Sequence, residues 1–467
     1  MTRNAHPSVE EREARGTAAR VGTPLSAHAR WRPATGRPDP VALLDQQNIT
    51  REPDQVPVRN GRMMVSAFTF FRGAAKVMAA DLKGTPRAGL NVQLCGDAHL
   101  SNFGLFGSPE RRLVFDLNDF DETLPGPFEY DVKRLAASVM IAARNDGFTK
   151  ADARGATRAC VTAYREAIAG FARMRTMDIW YAHLSEDAVD EVRKGAKTKR
   201  DVKAVKRLEK GVDKARTRDS VQALSKLGEL VDGTYRIASK PPTVVPLRDL
   251  ADTYGISRRE IDRTVRRQFR GYRATLADDR RCLLERFEVI DVARKMVGVG
   301  SVGTRAYIAL LQGRDQDDPL FLQLKEATAS VLEDHLPRSR YPDHGERVVR
   351  GQRLMQAVSD IFLGWTVEPD GRHYYWRQLR DMKGSATIET LAPNELTAYA
   401  KACAWTLARA HARSGDPIAI AAYLGAEDRF DRAIADFSVR YADQNENDFE
   451  LFRSAIGSGR LQAVAGV

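Results

Sequence analysis

The chain has 467 residues, 43% of them hydrophobic and 29% charged, with a formal net charge of +11. That balance excludes a globally disordered chain, a collagen and a disulfide scaffold, and the length gives a prior of about two to four domains at roughly 100–200 residues each. No apolar run approaches the ~18–20 residues of a membrane helix, the N-terminus is too polar for a secretory signal, and Cys95, Cys160, Cys282 and Cys403 form no CxxC pair, so a cytoplasmic protein without structural zinc is predicted.

Residues 1–38, rich in Pro, Gly, Arg and Ala, read as a tail or extended arm. Asp39-Pro40 predicts a capped helix running to about Asn48. Residues 61–82 carry apolar groups over most of a helical surface and predict one buried helix. Gly89–Leu94 and Arg112–Leu117 read as short strands around a polar loop. From Tyr130 to about Ile290 the pattern is helical, broken by a basic stretch and by Pro241, Pro242 and Pro246. Beyond Met296 the chain predicts strand, turn, strand, turn, strand. A helix near 343–361, strands at 361–368 and 373–380, and helices beyond Asn394 follow. The charge is uneven. Residues 193–218 hold twelve Lys/Arg against three Asp/Glu, which accounts for most of the excess.

Two clusters carry chemistry. In the first, Cys95-Gly-Asp-Ala-His-Leu-Ser-Asn102 precedes Asp116-Leu-Asn-Asp-Phe-Asp121. Short strands joined by this loop could aim Asp97, Asn102 and Asp119 at one point. Carboxylates with an amide oxygen are hard ligands suited to Mg2+, whereas Asp97 suits accepting a hydrogen bond from an attacking hydroxyl. The plainer reading is a set of turn and cap residues.

The second cluster is Gly298-Val-Gly-Ser-Val-Gly303. A dinucleotide fingerprint needs a following helix, but residues 304–311 read as a strand. A glycine turn between antiparallel strands suits a flap over phosphates. Lys325, in the next strand, could reach phosphate oxygens beneath it, or lie on an exposed edge. Glu346, opening the next helix, could hold Lys325 in an ion pair or be a solvated first-turn acid; Glu326 and Glu333 are weaker competitors for that role.

CGDAHLSN resembles the HGDxHxxN loop of aminoglycoside and choline phosphotransferases, with Gly96, Asp97, His99 and Asn102 matching and Cys95 standing where His is usual. The segment 118–136 resembles their IDFE…DLA segment. The resemblance makes Asp119 the magnesium-binding acid and Asp131 the acid that buttresses the catalytic loop, with Asp116 as an alternative ligand and Asp121 sharing the site. GVGSVG with Lys325 resembles the small-lobe glycine loop and lysine, and residues 399–416 the helix that normally precedes the catalytic loop. Because the catalytic loop comes first here, the implied fold is α+β: a protein-kinase-like two-lobe fold, circularly permuted, with a small antiparallel β lobe and a large mostly helical lobe. Nearby chain termini make such a rearrangement tolerable. The implied division is an arm over 1–50, a catalytic-loop segment and helical large lobe over 51–290, a small β lobe over 291–392 and packing helices over 393–467. Over roughly 50–460 the chain also resembles a bacterial family, domain of unknown function 2252.

The resemblance implies phosphoryl transfer from ATP to a hydroxyl of an acceptor, a small molecule or a protein. Asp97 would orient and deprotonate the acceptor, and His99 would support the loop. Asn102 and Asp119 would hold Mg2+. Lys325 would contact phosphates and Glu346 position it. Gly298, Gly300, Ser301 and Gly303 would form the nucleotide flap. Arg59, Arg62 and Arg72 could line an acceptor site or simply be solvated or salt-bridged. Competing readings are a pseudokinase or nucleotide sensor, an AMP transferase with an inverted nucleotide, and a nucleic-acid-binding protein using 193–218. That stretch has no aromatic for base stacking, and its helical spacing also fits a solvated face or a basic lid.

Overall fold

The computed structural model describes residues 6–185 and 199–466, apart from positions 256, 297 and 380. The fold is mixed α+β. Its larger part is helical. The predicted arm is ordered: Ser8 caps α1 (Val9–Gly22) with a capping box, and α2 (Pro40–Asn48) starts at the predicted Asp39 cap. The buried segment 61–82 is not one helix but parts of three, α3 (Val56–Met63), α4 (Ala67–Gly73) and α5 (Ala75–Leu82). Ser66 starts a new capping box, and the chain folds back until Met63 meets Gly73, where a Cβ would lie 2.5 Å from the Met63 sulfur.

The predicted strands β1 (Asn91–Leu94) and β3 (Leu113–Leu117) form, together with β2 (Phe103–Gly107) and β4 (Leu124–Pro127). β1 pairs with β4, and β2 with β3, all antiparallel. Helices α6 (Glu129–Asn145) and α7 (Lys150–Phe171) follow, then α8 (Thr176–Tyr181) and a two-residue strand β5 (Leu184–Ser185) on β3. The first residues of the basic stretch, 193–198, lie outside the described residues. Its remainder is α9 (Lys199–Arg216), whose Val212 and Ala215 are buried against Leu113 and Met382.

The next stretch departs from the all-helical expectation. After α10 (Ser220–Leu227) come a hairpin, β6 (Gly228–Val231) and β7 (Thr234–Ile237), and β8 (Val244–Pro246). Then come α11 (Leu247–Tyr254), α12 (Arg258–Arg273), α13 (Asp278–Leu284) and β9 (Glu288–Lys295), whose start precedes the predicted boundary at 291. With β10 (Ala306–Gln312), β11 (Pro319–Ala327), β12 (Gly364–Val367) and β13 (His373–Gln378) they complete a six-stranded sheet. Its order is β12-β13-β11-β10-β9-β8, with every pairing antiparallel. The period of two in a strand separates its faces. Ala309, Leu311, Leu322 and Leu324 pack against α12, where Tyr272 stacks on Trp376 at 4.6 Å between ring centroids. Ile308, Leu310 and Phe321 pack against α10. Lys325, two positions beyond Gln323 on that second face, therefore looks away from α12, as do Tyr375 and Arg377 on β13.

Helix α14 (His344–Met355) lies between β11 and β12 in sequence. Helices α15 (Pro393–Ser414), α16 (Pro417–Leu424) and α17 (Arg429–Gly457) close the chain and share the main core with α6 and α7. No helix among the described residues is long and apolar enough to cross a membrane.

The N-terminal region is fastened by charge. Arg37, 12% exposed, is clamped between Asp81 and Asp448, 5% and 3% exposed. Removing one partner of a buried pair leaves uncompensated charge. Arg37→Met is expected to lower unfolding free energy by about 3–5 kcal/mol in urea titrations at pH 7, whereas Arg175→Met, at an exposed pair, is expected to change it by less than about 1 kcal/mol.

Candidate active site

A cleft of about 630 Å³ runs between the six-stranded sheet and the helical part. Ligand sites typically span ≈300–1,000 Å³. Into it the fold brings Asp97, His99, Asn102, Asp119 and Asp121 from the first motif, and Gly298, Gly300 and Ser301 from the second. These segments are about 200 residues apart in sequence.

The loop carrying Asp97 is held from below. Asp131, at the start of α6, accepts hydrogen bonds from Cys95 N at 2.8 Å and Gly96 N at 3.0 Å. Its Oδ2 also lies 3.3 Å from His411 Nε2 on α15, and His411 Nδ1 lies 2.8 Å from the Tyr164 hydroxyl. Gly96 takes a φ of +85°, and a Cβ there would lie 2.1 Å from Glu122 O, so this turn needs glycine. Burial pushes the Cys95 thiol up, which keeps it a neutral packing group.

Asp97 Oδ1 accepts from Arg134 Nε at 2.7 Å and lies 2.6 Å from Arg134 Nη2. Among the described residues Oδ2 faces only His99 Nε2, at 3.7 Å, so it is the oxygen free to meet a ligand. Burial pushes the Asp97 carboxyl up to about 6, against the pull of Arg134. Burial, then the charges of Arg72 and Arg134, hold the His99 ring well below its ordinary pKa, so it is neutral. Its Nδ1 is buried without a hydrogen-bond partner among the described residues.

Asn102 donates through Nδ2 to Asp97 O at 2.6 Å, which leaves its Oδ1 as an acceptor. Asp119 is 30% exposed, and its Oδ1 accepts from Asp121 N at 3.2 Å. Among the described residues no three His, Cys, Asp or Glu converge as a metal cage. Two oxygen donors, Asn102 and Asp119, lining one cleft are nonetheless the kind of set Mg2+ uses, because it takes one or two protein ligands and completes its shell with phosphate oxygens and water.

Asp116, the alternative metal ligand, points elsewhere. It is fully buried, and its carboxylate accepts from Arg409, Ala357 N and Leu117 N. It ties α15 to β3 and has no oxygen left for the cleft.

Lys325 reaches the site from β11. Its Nζ donates to Asp121 and to Ser301 Oγ (2.8 Å), and lies 3.9 Å from Asp119. Burial opposes the ammonium charge, but Asp119 and Asp121 raise its pKa above the ordinary value. Burial alone would raise Asp121; Lys325 holds it low, and the Tyr375 hydroxyl donates to it at 2.9 Å. The expected Glu346–Lys325 pair does not form. Glu346 pairs with Arg350 one turn along α14. The α14 side chain that reaches the site is Arg347, donating to the carbonyls of Asp121, Thr123 and Thr328. Glu326 pairs with Arg305, and Glu333 lies 3.9 Å from Arg347.

The glycine turn is gripped by the segment 51–73. Arg51 donates to Val302 O at 2.6 Å, Glu52 N to Gly303 O at 2.7 Å, and Arg62 to Gly298 O. Gly298 and Gly303 have φ of +66° and +87°; a Cβ on Gly300 would lie 3.0 Å from Arg72 O. Gly303 shapes the turn without lining the cleft. Arg59 is fully buried and holds Gln47 and Gly73, so it lines no acceptor site. Arg72 does line the cleft, with its Nε buried and without a hydrogen-bond partner among the described residues. Arg51, Glu122, Arg218, Arg377 and Lys383 also line it. No local motif marks these five. Burial pushes Glu122 up to about 7.

Two outcomes check this geometry. Asp131→Asn would leave one loop N–H facing an amide donor, and is expected to cost about 1–3 kcal/mol in denaturant unfolding. For Asp97, the folded carboxyl titrates near 6 against about 3.9 unfolded. The folded state therefore binds more protons between these values, and stability falls as pH rises through that window. Relative to Asp97→Asn, wild type is expected to lose stability from pH 4 to pH 6; a flat difference would contradict the shift.

No curated protein and no solved structure matches the chain. A family model described as an uncharacterized protein conserved in bacteria (DUF2252) matches residues 51–455. That span covers most of the chain, which belongs to this bacterial family, DUF2252.

Proposed function

We propose that the protein is an ATP- and Mg2+-dependent phosphotransferase acting on a hydroxyl, built as a circularly permuted kinase-like fold. The observation that carries the proposal is the convergence in one cleft of Asp97, Asn102 and Asp119 with the glycine turn, with Lys325 set directly behind the lining residues Asp121 and Ser301. The sheet supports it. The glycine turn joins β9 to β10, the lysine sits on the next strand, β11, and a helix follows before β12. Kinases place a glycine loop over the phosphates, a lysine on the third strand and metal ligands on an Asp and a catalytic-loop Asn.

ATP with Mg2+ would supply the phosphoryl group and offset the charge on its oxygens. Asn102 Oδ1 and the Asp119 carboxylate would hold the metal. Lys325 and Ser301 would meet phosphate oxygens, with the backbone N–H groups of the turn above them. Asp97 Oδ2 would accept the acceptor hydroxyl's proton, while Arg134 fixes the other oxygen. A pKa near 6 leaves Asp97 ionised at neutral pH and still able to take a proton. Arg347 would hold the 121–123 backbone in place of a helix-borne acid.

The test is a calorimetric titration of ATP with and without Mg2+, with ATP hydrolysis followed in parallel. Mg2+-dependent binding is expected in wild type, weakened at least tenfold in Asp119→Ala and in Lys325→Met. Hydrolysis is expected to vanish in Asp97→Asn and, in wild type, to rise with pH through a limb near 6. Absence of any nucleotide binding by wild type would overturn the proposal.

A further inference from the structure

Arg218, Arg377 and Lys383 form one wall of the cleft, beside Asn118, Gly384 and Ser385. Among the described residues none of the three has a carboxylate within ion-pair distance. Arg377 is held by neutral acceptors, donating to Gln323 Oε1 at 2.9 Å and Asn118 O at 3.0 Å. Arg218 donates to Lys383 O at 2.8 Å and accepts from Met382 N at 2.7 Å. The Lys383 ammonium has no partner among the described residues.

The wall is rigid. Gly384 and Leu105 exchange backbone hydrogen bonds of 2.9 and 2.7 Å, extending β2 by one bridge. The nearby acids are engaged. Asp360, behind the wall, accepts from Phe362 N and Gln378 N, and Asp381 pairs with Arg111. From the cleft, Asp119 faces Lys383 and Arg377, and Asp121 faces Arg377; both carboxylates also face Lys325. Lys383 bears the repulsion: Arg377, then burial, brings it down to about 7, and the pull of Asp360 and Asp119 does not offset them. An anion would relieve that repulsion.

We infer that the cleft holds a second anion subsite at Arg218, Arg377 and Lys383, which takes a phosphoryl group other than the one beneath the glycine turn. The inference rests on reading the cleft as a phosphoryl site. Lys325 meets Ser301 and lies 3.9 Å from Asp119, whereas Arg377 is held by the neighbouring Asn118 carbonyl and Arg218 by the Lys383 carbonyl. The subsite also gives the basic stretch a role. Its helix α9 seats Val212 and Ala215 on the protein and ends two residues before Arg218. Arg218, the last cation of that stretch, lines the cleft.

The second phosphoryl group belongs either to the nucleotide or to a phosphorylated acceptor, and one experiment separates these sources. Inorganic pyrophosphate is titrated calorimetrically into the full chain, without nucleotide, for wild type, Lys383→Met, Arg218→Met and Lys325→Met. Neither Lys383→Met nor Arg218→Met breaks an ion pair among the described residues, and unchanged thermal unfolding confirms that each variant is folded. Binding is expected in wild type and Lys325→Met, and at least tenfold weaker in Lys383→Met and Arg218→Met. Displacement by ATP assigns the subsite to the nucleotide, and simultaneous binding assigns it to the acceptor. Pyrophosphate binding without any ATP binding upholds the subsite while the nucleotide reading fails. No pyrophosphate binding, or affinity unchanged in both Lys383→Met and Arg218→Met, would overturn the inference.

Discussion

A lysine ammonium that is 2% exposed stays charged only when paired. Lys325 finds its partner, Asp121, 204 residues earlier in the chain. That requirement docks the six-stranded sheet on the loop after β3 and fixes the floor of the cleft. Ser301 comes with it, because its hydroxyl accepts from the same ammonium. The glycine turn is thereby tied from the sheet side, while Arg51, Glu52 and Arg62 tie it from the helical side. In the phosphotransferase reading, bound phosphate would compete with Asp121 and Asp119 for Lys325, so the pairing keeps the lysine charged and aimed before a nucleotide arrives.

The helical part serves the other half of the site by the same logic. Asp131 anchors the Asp97 loop through two backbone N–H groups, and Arg134, one turn further along α6, takes one oxygen of Asp97. Both side chains are nearly fully buried, so their geometry is set by packing rather than by solvent. Asp116 and Arg409 form a separate buried pair that joins α15 to β3. Buried charge thus appears wherever two segments must be held at a fixed angle, and each buried pair is costly to break singly.

Local spacing made part of this legible. Asp97, Asn102 and Asp119 lie within 23 positions, in the turns flanking β2 and β3, and the alternation of β11 aims Lys325. What the sequence hid depends on distant partners. Glu346 failed as the lysine's partner because Arg350 lies one helical turn away, whereas Asp121 was reachable only through the fold. Asp116 looked like a strand-end ligand, but Arg409 claims it. The N-terminal helix α1 showed no apolar stripe because it docks through close backbone approach and charge. A Cβ on Gly16 would lie 2.1 Å from Ala419 O, and Arg12 pairs with Asp416. The strands between Gly228 and Pro246 are three or four residues long, too short for a period of two to stand out. Arg218 and Lys383 come from two separate loops and Arg377 from β13, and they share no motif.

The central claim is that two distant segments make one site through Lys325. A double-mutant cycle on Lys325→Met and Asp121→Asn, read by urea unfolding of the full chain, tests it most directly. The structure requires the two substitutions to be strongly non-additive, with a coupling of about 1.5 kcal/mol or more, within the range contacting residues show. Additivity within about 0.5 kcal/mol would mean that Lys325 and Asp121 do not meet, and the shared cleft would fall with them.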